Sequence, residues 1–130
     1  MKIAVFENEY QSVSGAFNAA NLLNFDNGLE ISVFPSSQSA ILKDIINYEV
    51  IFIDIDLSSK SDLDGYSLIQ ELKKFDKNIN RKIAILTGNN KISESLNLRK
   101  IDSNDLLIII KPTDFVEITE NIKKIKARTQ

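Results

Sequence analysis

The chain contains no cysteine and no histidine. Without cysteine there can be no disulfide, no thiolate nucleophile, no Cys-ligated zinc and no iron–sulfur cluster. Without histidine, Ser-His-Asp catalysis, imidazole ligation of a metal and a phosphohistidine-carrier role are excluded as well. Any chemistry falls to Asp, Glu, Lys, Ser, Thr, Tyr, Asn and Arg. Long hydrophobic runs are also missing: none approaches the roughly 18 residues of a membrane-spanning helix. The apolar start, Ile3 to Phe6, is too short for a signal-peptide core. A cytoplasmic location without a membrane partner is the expectation. Positive charge is not in excess, with 16 Lys and Arg against 18 Asp and Glu, a net charge of −2. That balance argues against nucleic-acid binding by this domain. The one basic cluster, Lys123, Lys124, Lys126 and Arg128, reads as the solvated end of a C-terminal helix, where cations suit the dipole.

What is present has the make-up of one globular domain spanning residues 1–130, with 43% hydrophobic and 26% charged residues. Short apolar runs alternate with longer amphipathic stretches. The runs are Ile3–Phe6, Leu29–Phe34, Val50–Ile53, Ile83–Leu86 and Leu106–Ile110. Four of them are continuously apolar and rich in Ile and Val, the mark of strands covered on both faces in a parallel sheet. In the second, Leu29, Ile31 and Val33 alternate with Glu30 and Ser32, which predicts an edge strand with one wetter face. Between the runs, apolar residues recur at helical spacing. Val13, Phe17, Ala20 and Leu23 mark the first helix, with Ser12 or Ser14 as its cap. Ser39 to Tyr48 carries Ile41, Leu42, Ile45 and Ile46, and Tyr66 to Phe75 carries Leu68, Ile69, Leu72 and Phe75. Lys91 to Ile101 is thinly apolar, with Ile92 and Leu96 diluted by Ser and Asn. Phe115, Ile118, Ile122 and Ile125 line the last helix behind Thr113 or Asp114 as N-cap. The pattern predicts a doubly wound α/β fold, a five-stranded parallel sheet with right-handed crossovers and helices on both faces.

Such sheets bind ligands outside the carboxyl ends of their strands, so the residues that follow each run carry the functional reading. They are Glu7, Asn8 and Glu9 after the first, Asp54, Ile55 and Asp56 after the third, Thr87 and Gly88 after the fourth, and Lys111 and Pro112 after the fifth. Singly, each is an ordinary turn residue. Together they place carboxylates, a hydroxyl and an ammonium on one rim. Oxygen ligands suit Mg²⁺, and a carboxylate beside such an ion can attack a phosphoryl group. A hydroxyl and an ammonium stabilise the charge on its oxygens.

The sequence resembles, over essentially its whole length, the receiver domain of two-component response regulators. The markers are Lys2-Ile3-Ala4-Val5-Phe6-Glu7-Asn8-Glu9, Phe52-Ile53-Asp54-Ile55-Asp56-Leu57 with Asp64-Gly65, Ile85-Leu86-Thr87-Gly88, and Ile110-Lys111-Pro112. The resemblance implies the flavodoxin-like strand order 2-1-3-4-5. It also implies a phosphorylation-controlled signalling switch whose phosphoacceptor is Asp54. Glu7 and Asn8 match the acidic pair of the Mg²⁺ site, and Asp56 matches the position whose backbone carbonyl coordinates that metal. Thr87 matches the hydroxyl that meets the phosphoryl group, and Lys111 the lysine that pairs with the acceptor. The Lys111–Pro112 bond is often cis in this family. The implied partners are a sensor histidine kinase or phosphotransfer protein, with output, or a homodimer, through the fourth helix, fifth strand and fifth helix. No enzyme activity beyond self-phosphorylation and self-dephosphorylation is implied. The resemblance further implies that side chains at Asp56 and Asn89 tune the phosphate lifetime.

Three departures qualify the resemblance. Asn8 stands where the family usually has a metal-binding Asp, which predicts weaker Mg²⁺ binding. Ile108 replaces the usual aromatic switch residue. The loop Ser58–Leu63 is a few residues longer than is typical and lacks the common proline. The first two motivate an alternative, a receiver-like protein-interaction module that works without phosphorylation. A more remote one is a haloacid-dehalogenase-like phosphatase, suggested by Asp54-Ile55-Asp56 with Thr87 and Lys111. Its nucleophile strand would come first in the chain, whereas here it is third. FMN binding is disfavoured because Glu7, Asn8 and Glu9, not a Ser/Thr/Gly-rich loop, follow the first strand.

Overall fold

The computed structural model describes residues 1–130. Five parallel strands, β1 (Lys2–Phe6), β2 (Glu30–Phe34), β3 (Val50–Asp54), β4 (Ile83–Thr87) and β5 (Leu107–Ile110), form one sheet in the order β2-β1-β3-β4-β5. The helices are α1 (Gln11–Asn24), α2 (Leu42–Ile45), α3 (Gly65–Phe75), α4 (Ile92–Leu98) and α5 (Phe115–Thr129). Two short 3₁₀ turns, Ser37–Ser39 and Ile79–Lys82, complete the set.

The continuous apolar runs arise because successive side chains of a strand enter opposite layers. Ile3, Val5, Val50, Phe52 and Leu86 pack under α1 and α5 with Phe17, Ile118, Ile122 and Ile125. Ala4, Phe6, Ile51, Ile53 and Ile85 pack against Leu68, Ile69, Leu72 and Leu96 of α3 and α4. Every residue of β3 and β4 is buried, whereas β2 at the edge is mixed. Alternation on β2 does not separate a dry face from a wet one. Val33 is exposed, while Phe34 stacks on Phe6 at 5.0 Å between ring centroids.

Local chemistry sets the helix ends. Asp114 caps α5, its carboxylate accepting the Glu117 N–H at 3.0 Å, and Asp64 caps α3 through the Ser67 N–H at 2.8 Å. α1 starts earlier than either serine allows: its N-cap is Tyr10, and Ser12 and Ser14 donate instead to the carbonyls of Glu9 and Gln11. The helix expected over Ser39–Tyr48 is reduced to the single turn of α2, and Ile41 is left in solvent. Its chain is diverted by Ser37–Ser39, whose capping box closes on Ser36. Leu23 and Phe75, which carry the right helical spacing, are also exposed.

Gly65 lies where α3 begins against the end of β3. A Cβ there would press on the Ile55 Cα and stand 2.6 Å from the Asp54 carbonyl oxygen. Gly15, in mid-α1, faces open space. Gly65→Ala is expected to cost about 1–3 kcal/mol, whereas Gly15→Ala should gain about 0.5–1 kcal/mol. Urea titrations of the two variants check the opposite signs.

Candidate functional site

The carboxyl ends of β1, β3, β4 and β5 deliver the rim residues singled out above. Asp54 is the last residue of β3 and only 3% exposed, and Glu7 follows β1 and is 2% exposed. Lys111, immediately after β5, reaches back over the strand ends. Its Nζ lies 3.3 Å from Glu7 Oε2 and 3.5 Å from Asp54 Oδ2. Its own N–H donates to the Thr87 carbonyl at 2.7 Å, so backbone pairing with β4 fixes where its stem begins. The Lys111–Pro112 bond is cis.

The other oxygen of Asp54, Oδ1, accepts the Asp56 N–H at 3.0 Å. Asp56 thus meets Asp54 through its backbone, while its side chain is exposed. Asn8 is exposed too. It lines, with Glu7, Glu9, Tyr10 and Pro35, a cleft of about 580 Å³ between the turns after β1 and β2. Thr87 ends β4 and is fully buried, and its Oγ accepts the Asn89 N–H at 3.0 Å. The structure therefore brings Glu7, Asp54 and Lys111 into contact and sets Thr87 at the end of the next strand. Asn8 and the Asp56 side chain lie at the margin. No three acidic side chains converge.

Two carboxylates buried together against one ammonium are under-compensated. The carboxyl of Glu7 is pushed up to about 7, first by burial, then by its hydrogen bond with Asp54 and by that neighbour's charge. Lys111 opposes the rise but does not cancel it. A hard divalent cation is the kind of charge this oxygen-donor pair lacks. Of the residues that the resemblance assigns to a Mg²⁺ site, Glu7 and Asp54 could offer carboxylate oxygens and Asn8 a neutral amide oxygen.

Some features of this rim carry no sequence motif. The long loop after β3 is fastened to the 3₁₀ turn after β2. Ser37 N donates to Ser61 Oγ at 2.9 Å, Leu63 N to Ser37 Oγ at 3.0 Å and Asp62 N to Gln38 Oε1 at 2.8 Å. Gln38 Nε2 in turn donates to the Lys60 carbonyl at 2.7 Å. Asn89 turns its side chain toward α4: Oδ1 accepts the Lys91 N–H and Nδ2 donates to Ser95 Oγ. Only a polar residue two positions past Thr87 hints at that contact in the sequence. Arg99, over the Tyr66 ring at 4.0 Å and 3.5 Å from Asp64, is equally silent there.

The all-parallel 2-1-3-4-5 sheet is the strand order of flavodoxin-like α/β folds, and here an aspartate ends its central strand and a lysine reaches that aspartate from the end of β5. No protein-family model matches the sequence, and no curated protein matches it. Solved structures do. The receiver domain of the Francisella response regulator 1452 superimposes with a TM-score of 0.69 at 27% identity, covering 99% of this chain and 98% of that one. The receiver domain of NtrX from Brucella abortus gives 0.71 at 20% identity, covering 96% and 98%. A response regulator receiver domain protein from Clostridium thermocellum gives 0.70 at 20%, covering 98% and 95%. The chain has the receiver-domain fold of response regulators.

The elevated Glu7 carboxyl has a consequence for stability. Below about 4.5 it is protonated in both folded and unfolded chains, and its contribution is fully present. As pH rises toward about 7 the unfolded chain ionises first, so the contribution is lost through that window. The loss should be about 3 kcal/mol. Denaturation profiles across this range should fall with pH in the native chain and flatten in Glu7→Gln.

Proposed function

We propose that the chain is a phosphorylation-controlled signalling switch of the cytoplasm. Asp54 accepts a phosphoryl group from the phosphohistidine of a sensor histidine kinase or phosphotransfer protein. The phosphorus–nitrogen bond of the donor breaks as a bond forms from phosphorus to a carboxylate oxygen of Asp54, giving an acyl phosphate. Mg²⁺, which Glu7 and Asp54 would hold, would supply electrostatic stabilisation of the phosphoryl oxygens. Glu7 holds one side of the metal position, and the Asp56 N–H orients Asp54 through Oδ1. Lys111 neutralises the acceptor before transfer and pairs with the phosphoryl oxygens after it. Thr87 contributes its hydroxyl once it leaves the Asn89 N–H. The surface of α4, β5 and α5 then carries the change to an output partner or to a second copy of the chain.

The observation that carries this reading is the placement of Lys111 Nζ 3.3 Å from Glu7 and 3.5 Å from Asp54, both carboxylates being almost wholly buried. Nothing in packing alone calls for two acids under the end of a sheet, and burying them has a desolvation cost. A second reading, an interaction module that needs no phosphoryl group, is favoured by Asn8, which leaves Glu7 as the only acid of its pair.

An amide NMR titration with Mg²⁺, then with Mg²⁺ and beryllofluoride as phosphoryl mimic, separates the two. A switch should show shifts at Glu7, Asn8, Asp54 and Thr87 that spread to α4 and α5 and disappear in Asp54→Asn. Silence at millimolar Mg²⁺ would leave the interaction module standing. Asn8→Asp adds a charged ligand and should tighten Mg²⁺ binding severalfold.

A further inference from the structure

α4 is short, seven residues, and its N-cap Lys91 offers no side-chain cap. Its first turn is fastened from outside by one residue. Asn89 Oδ1 accepts the Lys91 N–H at 2.9 Å, and Asn89 Nδ2 donates to Ser95 Oγ at 3.2 Å. The backbone N–H of the same residue donates to Thr87 Oγ at 3.0 Å. Thr87, wholly buried at the end of β4, is thus joined to the first turn of α4 by hydrogen bonds that all pass through Asn89. At its other end α4 is held by Arg99, stacked over Tyr66 and paired with Asp64. Ile108 on β5 packs into the apolar layer beneath α3 and α4 and has no polar atom with which to follow Thr87.

The geometry points to Asn89 as the positioning residue that ties the orientation of the Thr87 hydroxyl to the start of α4. When Thr87 turns toward Asp54, the Asn89 N–H loses its acceptor and the turn 88–91 must re-form, which releases Lys91 and Ser95 together. As the output route of the switch, this inference rests on the function proposed above. The coupling itself is a property of the chain without a phosphoryl group.

The links act in series, so cutting either one should have the same effect as cutting both. Amide hydrogen exchange on Thr87→Val, Asn89→Ala and the double variant reads this directly. Each single change should speed exchange at Ser95 and its neighbours in α4 by about five- to tenfold, the loss of roughly one hydrogen bond. Amides of β1 and β3 should keep their native rates, and the double variant should exceed neither single by a meaningful factor. Ser95→Ala should reproduce part of the Asn89→Ala effect. Multiplying effects in the double variant, no change at α4, or one uniform acceleration of the whole chain would overturn the coupling. A beryllofluoride titration of the native chain serves as the second arm. Failure of Asp54 to respond refutes the proposed function and leaves the cycle to decide the coupling. A response at Asp54 that still reaches α4 in full in Asn89→Ala overturns the coupling.

Discussion

Everything at the rim depends on the enforced proximity of two almost wholly buried carboxylates. Glu7 and Asp54 end neighbouring strands in the middle of the sheet, where both faces are dry. Their mutual repulsion is relieved only in part by an ammonium that arrives from β5, two strands away from Asp54. Residues 7, 54 and 111 are far apart in the chain. Only the completed order of strands brings them together, so the charge balance of the site and the topology of the fold are one constraint. The lysine must cross the end of β4 to reach Asp54, and it does so because the backbone bond from Lys111 to Thr87 sets its starting point.

Polar atoms elsewhere on the rim are committed almost as fully. Asp54 Oδ1 belongs to the Asp56 N–H, Thr87 Oγ to the Asn89 N–H, and the Asn89 side chain to α4. A group arriving at Asp54 therefore meets an occupied network. Any hydrogen bond it forms with Thr87 competes with one already made, and the free-energy difference between the two arrangements is small compared with either bond in isolation. A half-made buried polar network is costly, so such bonds are best exchanged together.

Much of this could be read from the residues. The Ile- and Val-rich runs located all five strands to within a residue or so, and in β3 and β4 this is because strands dry on both faces leave no room for polar substitution; β5, read as covered on both faces, is an edge strand whose Ile110 is exposed. The rim residues followed from the position of each run's end. The alternation at Leu29–Phe34 correctly marked an edge but not which side chains it shelters, since Phe34 is held by Phe6 and Tyr48 across the pleat. Helices were less legible where spacing alone was the guide. Ile41, Leu23 and Phe75 have the periodicity of a covered face, yet nothing lies opposite them. α2 collapsed to a turn because Ser36, Ser37 and Ser39 satisfy one another and the neighbouring loop before a helix can start. Contacts between side chains distant in sequence, such as Arg99 with Tyr66, leave no local trace at all.

The lacing of Ser37 and Gln38 to residues 60–63 acts in this cysteine-free chain as a polar cross-link, joining two turns 24 positions apart in sequence. It ties the long turn after β3 to the turn that follows the edge strand β2. The entropy of closing such a turn grows only with the logarithm of its length, about 0.6 kcal/mol per doubling. Residues added between Ser58 and Lys60 would therefore bulge into solvent beyond the lacing, with the strand ends beneath unmoved. The size and chemistry of that protrusion are free to vary independently of the acids and the lysine beside it.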